Sequence, residues 1–154
     1  METPDQFVMP KFGSFFSYFL HAPLEAFVFV TKFNENAVDA TPKVTPVLKV
    51  NWRTCEEKAS DLFAKIRLLL NESGDAAYRF FLRDPFVSRL VVHFIFCLAT
   101  LRLHRDFGKA ETRAMHYMPT ISPALPSGVA DNTTVVQLIH TLADTLGSSD
   151  AFEA

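Results

Sequence analysis

The sequence predicts an all-α protein, an antiparallel four-helix bundle with a small extended element at one end. Four segments repeat their apolar residues with a helical period, and a helix start signal precedes each of them. Prolines and glycines fill the stretches between these segments. With 154 residues the chain is long enough to bury one core, so we predict a single domain over residues 1–154.

The first two helices are predicted from a proline and from a capping box. The first opens at Pro23 and continues as LEAFVFVTKF, although its Phe27–Val30 run also fits a strand. The second is TCEEKASDLFAKIRLLL, in which Thr54 and Glu57 have the spacing that lets each side chain satisfy the other's backbone donor. Residues 71–74 end this helix.

The last two helices have clear N-terminal signals. Asp84 precedes Pro85, a pair that is typical of the N-cap and first position of a helix, and Gly108 is the predicted stop. The fourth helix follows residues 131–132 and ends at Gly147.

Three other stretches lack a helical signal. Residues 41–50 carry two prolines and alternate loosely, so they are predicted to form an edge strand or a loop. A short extended piece at 77–82 is a possible partner for that strand. Residues 109–130 have no period and contain three prolines, which predicts a long loop.

Charge and aromatic residues are unevenly distributed. The net charge is −2, but it is unevenly spread. Residues 53–113 carry 11 basic and 8 acidic side chains, whereas residues 114–154 carry 4 acidic side chains and no Lys or Arg. Any polyanion site must therefore be local. Eight of the 16 phenylalanines lie between Phe7 and Phe33, which fits either a Phe-rich core or a surface buried against another subunit.

No sequence motif indicates catalysis, a metal or a cofactor, and we predict none of the three. His93 is expected to be a hydrogen-bonded core residue, and His104 to face water. Cys55 and Cys97 fit reduced core thiols better than a disulfide. The N-terminus lacks the basic region of a signal peptide, and the 12-residue apolar run Leu90–Leu101 is too short for a membrane span.

A basic cluster closes the third helix. Arg102, Arg105 and Lys109 are spaced i, i+3, i+7, and Arg113 follows on the predicted loop. One interpretation is that these cations are solvated and complement the helix dipole. The other is that they neutralise the phosphates of a nucleic acid.

Several short segments, in order along the chain, resemble the coat proteins of rod-shaped, tobacco-mosaic-type plant RNA viruses. The similar segments are TPDQFV (Thr3–Val8), APLEAFVFVT (Ala22–Thr31), RTCEEKASDLF (Arg53–Phe63), YRFFLRDPFVSRLVVHF (Tyr78–Phe94), Asp131–Leu138 and AFE (Ala151–Glu153). The resemblance implies a structural protein that self-assembles into a helical rod and packages single-stranded RNA. It also implies a location in the virion and in the host cytoplasm.

The resemblance also implies site residues. It places RNA contacts at Arg53, Arg102, Arg105, Asp131 and Asn132. Together with Lys109 and Arg113 of the basic cluster, these residues form the predicted RNA-binding set. The predicted subunit interface comprises Phe12, Phe15 and Phe16 of the Phe-rich N-terminal region and Asp84, which the resemblance places at an acidic subunit contact that weakens as the pH rises. The alternative function is a non-enzymatic accessory subunit of a larger protein complex, and a small helical enzyme or cofactor carrier is a third.

Overall fold

The structure, a computed structural model, describes residues 15–31, 46–104, 120–148 and 152. Six helices lie in these ranges: α1 (Phe15–His21), α2 (Pro23–Thr31), α3 (Pro46–Glu72), α4 (Ala76–Phe81), α5 (Pro85–Leu103) and α6 (Thr133–Thr145). None of these ranges contains a strand, and an isolated bridge joins His104 to Phe152.

Helix α5 lies at the centre of the fold. It contacts the α1–α2 hairpin on one side and α3, α4 and α6 on the others, and α3 also packs along α6. The largest fully buried side chains come from all of these helices: Tyr78, Phe19, Phe27, Phe29, Phe96, Leu62, Ile66, Leu70, Ile95, Leu101, Ile139 and Leu142. Burial of each such side chain contributes about 1.5–3 kcal/mol, so this cluster is the main source of stability.

The central position of α5 explains its apolar sequence. Among the described helices it is the one that is long and apolar enough to cross a membrane, since its most apolar 18-residue stretch has a mean hydropathy of 1.7. However, 67% of that stretch is buried inside the protein. Residues 91–101 are all buried, as expected for a helix surrounded by other helices.

Three of the predicted helix starts are confirmed. Helix α2 begins at Pro23, as predicted, and its Phe27–Val30 run is helical. The Asp84 carboxylate accepts hydrogen bonds from the backbone N–H groups of Phe86 and Val87, at 2.8 and 3.0 Å, and Pro85 occupies the first helical position. Asn132 caps α6 in the same way, and Gly147 follows the helix with a φ of +69°. Both caps satisfy donors that a helix N-terminus otherwise leaves unpaired.

The all-α class is correct for the described residues, but the rest of the predicted architecture needs correction. The described residues form six helices, and α1 and α4 are additional to the four that were predicted. The extended element is wrong where it is described, because α3 already begins at Pro46 and residues 76–81 form α4, while residues 41–45 lie outside the described part. Thr54 lies inside α3 and is not its N-cap, since Pro46 takes the start of a helix where its missing N–H costs nothing.

The third predicted helix and the long loop agree with the structure over part of their length. Helix α5 ends at Leu103, before the predicted stop at Gly108, which lies outside the described residues. Residues 120–130 form no helix, as predicted, while 109–119 are also outside the described part.

Candidate functional site

The end of α5 and the start of α6 form a cleft. Arg102, in the last turn of α5, and Asp131, just before the α6 cap, are both exposed and line the same cleft of about 370 Å³. Residues 120–131 form one wall of this cleft, and Phe94 and Leu98 of α5 form its apolar base. The structure thus brings together two of the seven residues predicted to bind RNA.

Two of the other predicted contacts, Asn132 and Arg53, do not line this cleft. Asn132 uses its side-chain oxygen to accept hydrogen bonds from Thr134 N (2.9 Å) and Val135 N (3.3 Å), so it acts as a helix cap. The Arg53 side chain is 91% exposed on α3, with its Nε 3.9 Å from a carboxylate oxygen of Glu57. Such an exposed pair contributes little. Arg105, Lys109 and Arg113 lie outside the described residues.

The residues predicted to form a subunit interface have other roles where they are described. Phe16 is half-buried and packs edge-to-face on Phe94, with ring centroids 5.4 Å apart. Asp84 caps α5. Phe12 and the side chain of Phe15 lie outside the described part.

A surface that sequence reasoning missed lies where α3 ends and α4 and α5 begin. Three large apolar side chains in this part of the chain are exposed, one on each helix: Leu68 of α3 by 48%, Phe80 of α4 by 65% and Phe86 of α5 by 64%. We call these three residues, together with Arg79 and Arg83, the corner surface. Exposed aromatic side chains and arginine are typical of protein interfaces.

A groove of about 570 Å³ runs through the corner surface. It is lined by Asn71, Ala76, Arg79, Phe80, Leu82 and Arg83. Leu68 precedes Asn71 by one turn of α3, so it extends the same helix face toward the groove. The groove therefore combines two guanidinium groups with apolar side chains and carries no carboxylate in its lining.

The local sequence fixes the position of this groove. Gly74, with a φ of +77°, ends the turn after α3, and the Asp75 carboxylate accepts the backbone N–H of Tyr78 to start α4. Tyr78 is fully buried, and its hydroxyl donates to the carbonyl of Pro123. Because Tyr78 anchors the inner face of α4, its neighbours Arg79 and Phe80 face solvent.

A further contact ties the corner to the rest of the fold. Arg67 of α3 donates from Nε to the Ser88 hydroxyl of α5 at 3.1 Å. The backbone N–H of Arg83 donates to the carbonyl of Phe80 at 3.1 Å, which closes the turn between α4 and α5. The corner surface is therefore held on three connected helices. A partial sequence signal for it existed, because Asp75 is an N-cap residue three positions before Tyr78, although Arg83 lies beyond the last residue of α4.

The two cysteine thiols, Cys55 and Cys97, are buried. Burial raises the pKa of the Cys97 thiol, and it also raises that of Cys55, opposed in part by Lys58. Both cysteines are free and buried, as predicted, and a raised pKa leaves less of the nucleophilic thiolate. No group of three His, Cys, Asp or Glu side chains in the described residues is placed to hold a metal ion.

Two histidines, His93 in α5 and His104 directly after it, bond to the N-terminal hairpin. His93 Nδ1 lies 2.8 Å from the carbonyl oxygen of Leu20, and His104 Nε2 lies 2.9 Å from that of Val30. A carbonyl only accepts, so each ring donates an N–H. The prediction for His93 is confirmed; the one for His104 is wrong, since this ring is 2% exposed.

The described residues define a helical protein that exposes large apolar side chains and an arginine-lined groove, features that are typical of binding proteins. The chain belongs to the SCAI family, because the family model described as "Protein SCAI" matches residues 2–107. The chain is 30% identical over 144 residues to the "Protein SCAI homolog" of Dictyostelium discoideum, covering 92% of this chain and 17% of that protein. It is 33% identical over 143 residues to the human "Protein SCAI", covering 91% of this chain and 21% of the human protein.

The matched region is a small part of these relatives. The chain is also 34% identical over 116 residues to the mouse "Protein SCAI", covering 74% of this chain and 16% of the mouse protein. It thus spans about a fifth or less of the length of these proteins. No solved structure matches the chain.

Membership of this family shows that the coat-protein interpretation is wrong. The relatives are cellular proteins of an amoeba and of mammals, so the capsid function, the virion location and the predicted partners, single-stranded RNA and a helical homopolymer, are withdrawn. The misleading segments contain helix-start residues such as Asp84-Pro85 and Asp131-Asn132. Unrelated helical proteins share such residues because all helices need caps.

Proposed function

We propose that this chain is a non-enzymatic protein-interaction segment, which serves as an accessory part of a larger protein complex. The observation that carries the proposal is the exposure of Phe80 in a groove that Arg79 and Arg83 also line, with Phe86 exposed at the start of the next helix. Aromatic residues and arginine are the side chains most enriched in protein interfaces.

The burial of the remaining described apolar residues supports this choice. The described core holds thirty buried hydrophobic side chains, from Phe19 to Phe152, whereas the exposed large apolar residues are the three of the corner surface. Exposure at these positions therefore does not reflect a shortage of core to pack against. We interpret these positions as ones that become buried when a partner binds.

The position of the corner surface within the family segment also supports the proposal. All five of its residues lie inside residues 2–107, the part that the SCAI family model matches. The chain spans about a fifth or less of its relatives, so the segment is expected to act together with other parts of a longer protein or with separate proteins.

Site-specific photo-cross-linking of the intact protein tests this function. A benzophenone amino acid in place of Phe80 is expected to form a covalent adduct with a protein segment that mass spectrometry identifies. The same probe in place of Gln137, an exposed residue of α6, is the matched control. Adduct yields at Phe80 no higher than at Gln137 would refute the proposal.

A further inference from the structure

The corner surface has a composition that specifies the chemistry of its partner. Resting on the function proposed above, we infer that its groove binds an acidic amphipathic helix, a segment with an apolar stripe flanked by Asp or Glu side chains. The apolar side chains of such a helix would enter the groove between Arg79 and Arg83 and cover Phe80.

Charge complementarity is the first step of the inference. Arg79 and Arg83 line the groove and are exposed, and no ion pair joins either of them to a carboxylate within the described residues. Guanidinium groups form paired hydrogen bonds with carboxylates, and these bonds are stronger than those between neutral groups. An acidic partner would supply the carboxylates that the fold does not.

The nearby carboxylates are directed elsewhere. Asp75 accepts the N–H of Tyr78, and Asp84 accepts those of Phe86 and Val87. Both side chains therefore cap helices. Glu72 is exposed at the end of α3 and does not line the groove. The lining of the groove therefore holds two guanidinium groups and no carboxylate.

The apolar lining argues for a protein partner over a nucleic acid. Phe80, Leu82 and Ala76 line the groove, and the exposed Leu68 lies one turn of α3 before Asn71, another lining residue. Residues 67–89 contain four arginines (67, 79, 83 and 89) and three carboxylates (72, 75 and 84), a net charge of only +1. A phosphate backbone needs a longer run of uncompensated cations, whereas one helix face with a few carboxylates matches this surface.

The size of the groove fits the same partner. Its volume of about 570 Å³ is enough for a few side chains from one face of a helix. Helix-in-groove recognition uses anchors at i, i+3, i+4 and i+7, which present apolar groups along one side and leave flanking positions for acidic residues.

A peptide-display selection on the full chain tests the inference. Random peptides are selected on the wild-type protein, and their affinities are then measured for the double variant Arg79→Glu/Arg83→Glu. We expect selected peptides that combine acidic residues with an apolar stripe, and binding about tenfold weaker in the double variant. The matched control is Arg53→Glu/Arg102→Glu, which reverses two exposed arginines elsewhere and should bind normally.

The contrary results are equally specific. Failure to enrich peptides, enrichment of peptides without acidic residues, or equal binding by the Arg79→Glu/Arg83→Glu variant would each overturn the inference. Displacement of a selected peptide from the groove by a single-stranded oligouridine would overturn it as well. Circular dichroism and the midpoint of thermal unfolding establish that both double variants are folded.

The cross-linking experiment separates this inference from the proposed function. An adduct at Phe80 with a protein segment that lacks acidic residues would refute the acidic-helix inference and leave the interaction function standing. An acidic segment in the adduct, with a yield that falls in the Arg79→Glu/Arg83→Glu background, would support both.

Discussion

The α1–α2 hairpin and the corner surface are both rich in phenylalanine, but they use it in opposite ways. In the hairpin, Phe19, Phe27 and Phe29 are at most 1% exposed. At the corner, Phe80 and Phe86 are about two-thirds exposed, at 65% and 64%. The same residue type therefore builds the core in one region and a free surface in the other.

The difference arises from what each region packs against. Phe96 of α5 contacts Phe19 and Phe27 from the hairpin and Phe63 from α3, with ring centroids 5.2–5.6 Å apart. Aromatic contacts of this kind contribute beyond the burial of area. No described element covers the outer face of α4 in this way, so its aromatic side chain stays in solvent.

The polar contacts of the two regions differ as well. His93 and His104 donate to carbonyls in the last turns of α1 and α2, groups that a helix C-terminus leaves without partners. The corner relies on N-terminal caps, at Asp75 and Asp84. The corner also has long-range bonds, from Tyr78 to Pro123 and from Arg67 to Ser88, but among the described residues none of them covers Phe80, which stays exposed.

The largest test of this contrast compares two phenylalanines. Phe96→Ala is expected to lower the free energy of unfolding by about 3–5 kcal/mol, because it leaves a cavity among Phe19, Phe27 and Phe63. Phe80→Ala is expected to change it by no more than about 0.5 kcal/mol. Urea unfolding followed by circular dichroism measures both, and similar losses would show that Phe80 has a structural role.

The next largest effect concerns the histidine that ties α5 to α2. His104→Leu is expected to cost about 1–3 kcal/mol, because the carbonyl of Val30 is left buried without its donor. His21→Leu is the matched control: its ring bonds only locally, to the Ser17 carbonyl at an exposed position, so about 0.5 kcal/mol or less is expected. Equal effects in the two variants would show that the long-range bond is not what holds the hairpin.

These contrasts also show which parts of the fold could be predicted from sequence. The starts of α5 and α6 were predictable because Asp84-Pro85 and Asn132 are local signals whose geometry does not depend on the rest of the protein. The same holds for the burial of Cys55 and Cys97, which lie in strongly apolar periodic segments.

The errors arose where a local pattern had two interpretations. Pro46 fits an edge strand and the first turn of a helix equally well, and the structure has the helix. Residues 77–82 look extended unless Asp75 is recognised as the cap three residues before Tyr78. The candidate site was missed for a related reason: Arg79 lies in α4 and Arg83 in the turn after it, and both line the groove in the folded protein. The burial of His104 depends on Val30, 74 residues away, which no local pattern reveals.

A smaller effect is expected at the cap of the corner. Asp84→Ala should lower the free energy of unfolding by about 1 kcal/mol, because the N–H groups of Phe86 and Val87 lose their acceptor. Asp84→Asn should lower it by only about a few tenths of a kcal/mol, since asparagine and aspartate are about equally favoured at the N-cap position. Thermal unfolding of both variants measures the difference, and a loss of equal size in Asp84→Asn would mean that the charge, and not the cap, is what matters.

The smallest expected effect is the pH dependence of the stability that His93 gives to the hairpin. Burial lowers the pKa of His93 from its ordinary 6.5, and Arg89 and Arg67 lower it further, against the opposing effect of the Leu20 hydrogen bond. As the pH falls below 6.5, the unfolded chain takes up a proton at this histidine before the folded protein does. The stability that the neutral ring contributes is therefore present at neutral pH and is lost as the pH falls toward the lowered pKa.

Two substitutions of His93 isolate this titration from the hydrogen bond. In His93→Gln the amide can still donate to Leu20, and in His93→Leu that bond is lost, so the second variant should be the less stable at neutral pH. Both lack the titrating ring. The wild type should therefore lose more stability than either variant between pH ~7.5 and pH ~5.5, as measured by urea midpoints. A wild-type slope equal to that of both variants would mean that acid acts on the hairpin through other groups, and the contrast with the corner would then rest on packing alone.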